Sequence, residues 1–200
     1  MDYQQQRKNR SDATRRAILD AAARLIQEQD FDKMTVRDIC ARAGVTTGAF
    51  YHHFASKDEL LSQGFATLDD YLEEAMEDKM GLPPALRLEA LLNAYAGRVE
   101  ELGWRTMALY YQRRLSSPSA AAISPDRFTL RTMERCFEEL IAARALVPGH
   151  GSRQLTEFCF RYFRGVVVDW ILHRGDYHLT AKLEADFALF ADALDQSRQK

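Results

Sequence analysis

No apolar run in this 200-residue sequence approaches the roughly 20 residues that a membrane-spanning helix needs. The N-terminal MDYQQQRKNR lacks the apolar centre of a secretory signal. Glycine and proline number only ten and five. Apolar residues recur at the 3.6-residue period and no segment alternates as a strand would, so an all-α fold is expected. The three cysteines, Cys40, Cys136 and Cys159, are odd in number, have no metal-site spacing and sit inside helical apolar patterns. They read as reduced core residues of a cytoplasmic protein. Also missing are a Gly-rich phosphate loop, a G-x-S-x-G elbow, an H-E-x-x-H helix and a Cys pair, so no enzyme, cofactor or metal is expected. His150, His173 and His178 with Asp176 are the one metal alternative, but two of the three histidines fall in connecting segments and the spacing matches no familiar site. A composition 46% hydrophobic and 28% charged excludes a disordered or fibrous chain and supplies a core for one large or two small domains.

What is present is concentrated in Thr35 to Lys57, TVRDICARAGVTTGAFYHHFASK. Val36, Ile39, Cys40 and Ala43 share one helical face, Gly44 can take a left-handed turn, and Val45 returns to the core. A second short helix then carries Phe50 and Phe54 inward. This is the layout of a helix-turn-helix, whose second helix lies in the DNA major groove. GVTTGAFYHHF followed by SKDELL, with Thr35, Val36, Arg37, Asp38, Ile39, Ala43 and Gly44 before it, resembles the N-terminal signature of the TetR family of bacterial transcriptional repressors over residues 12 to 62.

Side-chain type and position suggest the DNA roles. Thr46 caps the recognition helix and, with Thr47, sits where base edges are reached. Gly48 and Ala49 let the backbone approach, and Ala49 can touch a thymine methyl. Arg37 has the fork for guanine O6 and N7. Thr35, Tyr51, His53 and Lys57 suit phosphate oxygens, and His52 suits either. The resemblance implies that all of these positions are ones the family uses for DNA.

Net charge is only -2, so location matters more than the sum. Arg7, Lys8, Arg10, Arg15 and Arg16 form a basic leader, whereas Asp69, Asp70, Glu73, Glu74, Glu77 and Asp78 make a distant acidic run. One end of the molecule is expected to attract phosphate and the other to be repelled. Helices are expected from Ser11 or Asp12 to Gln29, with Asp30 strained into the left-handed region, and from Thr35, capped reciprocally with Asp38. Ser56 and Glu59 repeat that cap at the start of a linking helix over 56–80, ended by Gly81 and Pro83-Pro84. The domains are 1–55, a three-helix DNA-binding head ordered from about residue 11, and 56–200, a helical effector-binding and dimerisation domain.

In the second domain, Leu86, Leu88, Leu91, Leu92, Tyr95 and Val99 mark a helix interrupted near Gly103. Trp104, Met107, Ala108, Tyr111 and Leu115 mark another. Ser116 to Ile123 reads as a mobile loop, and Ser124-Pro125 as the start of a helix with Leu130, Met133, Phe137, Leu140 and Ile141 inward. From Ser152 to Arg174 the apolar positions, Leu155, Phe158, Cys159, Phe160, Tyr162, Phe163, Val166, Val167, Trp170 and Ile171, sweep roughly 220°, too wide for one buried face. Leu183, Phe187, Phe190 and Leu194 recur on a last helix over 179–196. Leu155, Phe158, Cys159, Tyr162, Val166 and those four are the expected dimer face of a four-helix bundle, which the resemblance also implies. Trp104, Met107, Tyr111, Phe128, Met133, Phe137, Phe163, Val167 and Trp170 would line an apolar pocket with few polar handles, for an apolar or aromatic effector. The function expected is a homodimeric, ligand-responsive repressor of a double-stranded, pseudo-palindromic operator. The alternatives are a helical protein-binding module or a small-molecule enzyme on the same fold.

Overall fold

The computed structural model describes residues 3–64, 66–116, 124–146 and 148–194, with side chains omitted at 3–5, 62–64, 66–67 and 190–194. Every regular element among the described residues is helical: α1 (Tyr3–Glu28), α2 (Val36–Ala43), α3 (Thr47–His53), α4 (Lys57–Gly64), α5 (Ala66–Ala75), a 3₁₀ turn (Glu77–Lys79), α6 (Pro84–Leu102), α7 (Trp104–Ser116), α8 (Phe128–Ala142), α9 (Ser152–Leu172) and α10 (Leu179–Leu194). The expected mobile loop at 117–123, Phe65 and the end of the last helix beyond Leu194 lie outside the described residues.

Several boundaries differ from those expected. Helix α1 starts at Tyr3 and not near Ser11, because the leader holds good helix formers and no glycine or proline to stop it. Asp30 does not enter the left-handed region, since the described non-glycine residues with positive φ are Arg144 and Arg174. Its carbonyl instead accepts from the Lys33 and Met34 amides at 3.1 and 3.2 Å, which turns the chain without strain. The linking helix ends at Ala75, earlier than 80, and passes into the 3₁₀ turn. Ser124-Pro125 does not open α8. The Ser124 hydroxyl accepts from the Asp126 amide at 3.2 Å, forming a turn, and Arg127 is the N-cap. Leu86, Leu115 and Ile141 are exposed and not in the core.

Two hydrophobic cores result. The first gathers Ile18, Ala22, Leu25, Ile26, Phe31, Met34, Ile39, Phe50, Phe54, Leu60 and Leu61, with Leu109 of α7 packed against it. The second runs from Leu68 and Leu72 through α6, α7, α8 and α9 to Leu183. Between them, Gln27 Nε2 donates to the Leu102 carbonyl at 3.1 Å and to Thr106 Oγ1 at 3.0 Å, and Arg105 Nη1 donates to the Gln27 carbonyl at 3.3 Å. Gly103, which ends α6, has φ 78° and ψ 154°, a conformation open essentially to glycine alone.

The basic leader and the acidic run also meet here and do not occupy opposite ends. Arg16 pairs with Glu74 at 2.8 Å. A cleft of about 520 Å³ is lined by Lys8, Asp12, Arg15, Arg16, Leu19, Asp20, Asp70, Tyr71 and Arg98. Helix α1 lies against α6, which Arg98 fixes by donating to Asp20 at 2.8 Å. Sequence distance had suggested spatial distance, and the antiparallel return of the chain reverses it.

A Cβ at Gly103 would lie 2.7 Å from Gln27 Cδ. Gly103→Ala is therefore expected to destabilise the chain by about 2–4 kcal/mol in denaturant unfolding. Adding Gln27→Ala should recover only the part due to the clash. An unchanged midpoint for Gly103→Ala would show that the joint is looser than described.

Candidate nucleic-acid interface and effector region

The helix-turn-helix is assembled by reciprocal caps. Thr35 Oγ1 accepts from the Asp38 amide at 3.2 Å, and the Thr35 amide donates to Asp38 Oδ2 at 2.8 Å. The hydrogen bonds from Thr35 hold the Asp38 carboxyl below its ordinary pKa. Gly44 turns the chain at φ 67°, its amide donating to Cys40. Thr46 Oγ1 then accepts from the Ala49 amide at 3.1 Å and opens α3. Phe50 and Phe54 are fully buried, their ring centres 5.7 Å apart. Arg42 clamps α2 to α1 through both Glu28 oxygens at 2.8 and 2.6 Å.

With these side chains turned inward, one face of α2 and α3 is left to solvent. Thr35, Arg37, Thr46, Thr47, Gly48 and His52 are exposed, Tyr51 is 59% exposed, and Ala49 and His53 are half-buried. A Cβ at Gly48 would meet nothing closer than its own cap, Thr46 Oγ1, at 3.8 Å. The protein's own packing therefore makes no demand for glycine there. Burial first, then the charges of His52 and Arg15, push the His53 pKa down.

Lys57 is used differently from the expected phosphate contact. Its Nζ donates to the carbonyls of Phe31, Asp32 and Met34 at 2.8, 3.1 and 3.1 Å, and lies 4.7 Å from the Phe31 ring centre. All three ammonium protons have internal acceptors. The other cap repeats as expected, with one change. The Glu59 amide donates to Ser56 Oγ at 3.0 Å, but the Glu59 carboxylate reaches back to the Ala55 amide.

The nine residues expected around an effector do converge on one cluster. Met107, Met133, Phe137, Phe163, Val167 and Trp170 are buried in the second core, and Trp104, Tyr111 and Phe128 pack against it. Trp104 and Trp170 also have a structural task. A Cβ at Gly175 would meet them at 3.3 and 3.2 Å, and Trp170 Nε1 donates to the Tyr177 carbonyl at 2.9 Å. Apolar periodicity did not single out the polar groups at one side of this cluster. Asp69 Oδ2 accepts from Arg127 Nε at 2.7 Å, and Asp69 Oδ1 accepts from Thr129 Oγ1 at 2.8 Å. Burial raises the Tyr95 phenol to about 12 against the opposing charge of Arg127, and also raises Tyr111. Arg164, an arginine at the edge of the apolar arc of α9, was the available signal.

The expected dimer face is corrected in part. Leu155, Cys159, Val166 and Leu183 are already buried within the chain, because α9 packs against α7, α8 and α10. Phe187 is half-buried, and the side chains of Phe190 and Leu194 lie outside those described. Phe158 and Tyr162 do face outward, 55% and 47% exposed, and Val168, Leu172 and Leu189 join them as exposed large apolar residues. Among the described residues, no group of three or more His, Cys, Asp or Glu could hold a metal ion. His173 of the metal alternative is instead hydrogen-bonded to the Asp169 carbonyl at 2.9 Å. No helix of the described residues is long and apolar enough to cross a membrane.

Residues 18–63 match the family model of bacterial regulatory proteins, tetR family. Over 192 residues, 90% of each chain, the sequence is 40% identical to the HTH-type transcriptional repressor KstR2 of Rhodococcus jostii. It is 31% identical over 115 residues to KstR2 of Mycobacterium tuberculosis, a match that spans 55% of this chain and only 56% of that protein. The structure of the regulator FadR from Bacillus subtilis in complex with stearoyl-CoA has a similar fold, with a TM-score of 0.65 at 20% identity over 88% of this chain and 96% of that one.

The internal use of Lys57 has a measurable consequence. Lys57→Met should lower stability to denaturant by about 1–3 kcal/mol, since three carbonyls lose a charged donor. No change in the unfolding midpoint would mean that the ammonium is free in solution.

Proposed function

Because this chain belongs to the TetR family of bacterial regulatory proteins, we propose that it is a cytoplasmic, homodimeric repressor whose hold on an operator is set by a small molecule. The observation that carries the DNA part is the face of α2 and α3, polar and exposed, with open space around Gly48 for a partner's close approach. In this reading Thr47, Gly48 and Ala49 meet base edges, and Arg37 takes a guanine through O6 and N7. Thr35, Thr46, Tyr51, His52 and His53 fix the register on phosphates. Lys57 supports them from within by holding the turn between α1 and α2.

Two such heads fit successive major grooves only if a dimer spaces them. The exposed Phe158 and Tyr162 on α9, with Leu189 on α10, form the apolar surface suited to a second copy. The head is taken as residues 1–55 and the effector and dimerisation domain as 56–200, with Leu60 and Leu61 of the linking segment packed in the core of the head. The relatives named repressors and the acyl-CoA held by the FadR neighbour support a ligand-responsive repressor over an enzyme. A coupling of about 1–3 kcal/mol between effector and operator suffices for several-fold changes in occupancy.

Selection from random duplexes should yield a palindromic site. Arg37→Ala is expected to cost about 1–3 kcal/mol there and relax preference at one position per half-site. Failure to enrich any duplex at low salt would instead favour a protein-binding module. Phe158→Glu should shift the dimer to monomer in sedimentation and weaken operator binding with it. His53 adds a pH signature. Its lowered pKa favours the neutral imidazole in the free protein, and a phosphate partner would raise that pKa, so DNA binding would favour uptake of a proton. Affinity should then rise as pH falls through the range in which the bound imidazole is protonated and the free one is not, and His53→Gln should reduce that slope by the share of this residue. A slope unchanged by His53→Gln would place the residue off the DNA.

A further inference from the structure

A carboxylate between α9 and α10 is only half satisfied. Asp186 is 9% exposed. Its Oδ1 accepts from Lys182 Nζ, whereas Oδ2 is buried and has no hydrogen-bond partner among the described residues. A buried acceptor left open is costly. Asp186 is the polar end of a small pocket, about 20 Å³, otherwise lined by Leu92, Cys159, Tyr162, Phe163, Leu183 and Phe187. That space admits the tip of one side chain but no ligand of effector size, and its apolar walls offer a water too few partners. The Tyr162 phenol, pushed up to about 12 by burial first and then by the Asp186 carboxylate, stands beside the pocket without a hydrogen bond to Oδ2. What fits is a charged donor at the end of an apolar stem.

Tyr162 belongs as well to the outer face of α9. At 100° per residue, Phe158, Arg161, Tyr162, Gly165, Val168 and Leu172, all exposed, fall within an arc of about 120°. Arg161 is the one cation of α9 in that arc, and the carboxylate there, Asp169, is taken by the Tyr177 hydroxyl at 2.9 Å. Arg161 pairs only with Glu157 of its own helix, at 2.6 Å with both side chains largely exposed, a pairing that contributes little. Helix α9 carries three arginines against two carboxylates, and α10 three carboxylates against one lysine. Two copies crossing α9 on α10 therefore bring opposite charges together, and a two-fold interface makes each such contact twice.

We infer that the Asp186 pocket receives the guanidinium of Arg161 from a second copy, so that two symmetric Arg161–Asp186 pairs fix the register of self-association. The inference rests on the homodimer reading above and names the contact that makes the interface specific to this chain. The apolar stem of the arginine lies against Tyr162 and Phe187 at the mouth, and its charged fork donates to the open Oδ2.

Sedimentation of the full chain over a dilution series tests it. Arg161→Gln and Asp186→Leu should each raise the dimer dissociation constant about ten-fold or more. Arg161→Glu should raise it further, because two carboxylates then meet, and Arg161→Lys should keep part of the affinity. Arg161→Leu combined with Asp186→Leu should lose less than the two single losses together, since neither charge is left buried alone. Fully additive losses overturn the pairing. If Asp186→Leu fails to fold, the series at the exposed Arg161 carries the comparison by itself. An unchanged dissociation constant in Arg161→Gln and Arg161→Glu, with Phe158→Glu still giving monomer, overturns the pair and leaves the homodimer standing. A wild-type chain that stays monomeric at every concentration overturns both.

Discussion

The amide of Gln27 crosses from the last turn of α1 into the corner between α6 and α7, where it donates to the Leu102 carbonyl and the Thr106 hydroxyl. It fits because position 103 carries no side chain and holds a backbone conformation that other residues resist. Helix α1 is the wall on which α2 and α3 pack, and α7 places Met107 and Tyr111 in the second core while lending Leu109 to the first. Any displacement of α7 is therefore felt by α1 directly. Arg113 of the same helix adds a tie to α4 through Asp58 at 2.7 Å. The orientation of the exposed face of α3 thus depends on contacts made some seventy-five positions away in the chain.

This joint could not have been read from residue types. Gln27 looked like any polar residue near a helix end, and Gly103 like a simple interruption. By contrast, the head was legible almost throughout, because its determinants are local. Thr35 and Asp38 lie three residues apart, as do Thr46 and Ala49, and Gly44 needs only its own backbone to explain it. Lys57 was misjudged for the same reason in reverse. Its acceptors lie in the turn at Phe31 to Met34, more than twenty positions earlier, where no periodicity could point.

The second half followed the apolar pattern in outline and departed from it in charge. The wide arc of α9 was expected to face the pocket domain on one side and a second copy on the other, yet three of the α9 residues assigned to that outer side, Leu155, Cys159 and Val166, are already covered within the chain. Partly buried ion pairs tie these layers together. Arg87 holds both oxygens of Glu139 at 2.9 and 3.0 Å while also donating to the Leu82 carbonyl. Asp69 joins α5 to the start of α8. Such pairs contribute little net stability but penalise wrong packing, because the buried Arg87 without Glu139 would be an uncompensated charge. They fix which helix faces lie together in a core whose apolar residues are largely interchangeable.

The cysteines give the protein a property of another kind. Cys40, Cys136 and Cys159 are all covered, and burial raises the latter two thiols to about 11 and about 12. Only the thiolate reacts readily. The three thiols are therefore expected to react slowly with mild alkylating agents while the chain is folded. Each thiol becomes reactive only when the helix carrying it lifts away. One sits in α2 of the head, one in α8 and one in α9, so the three report separately on the opening of three regions.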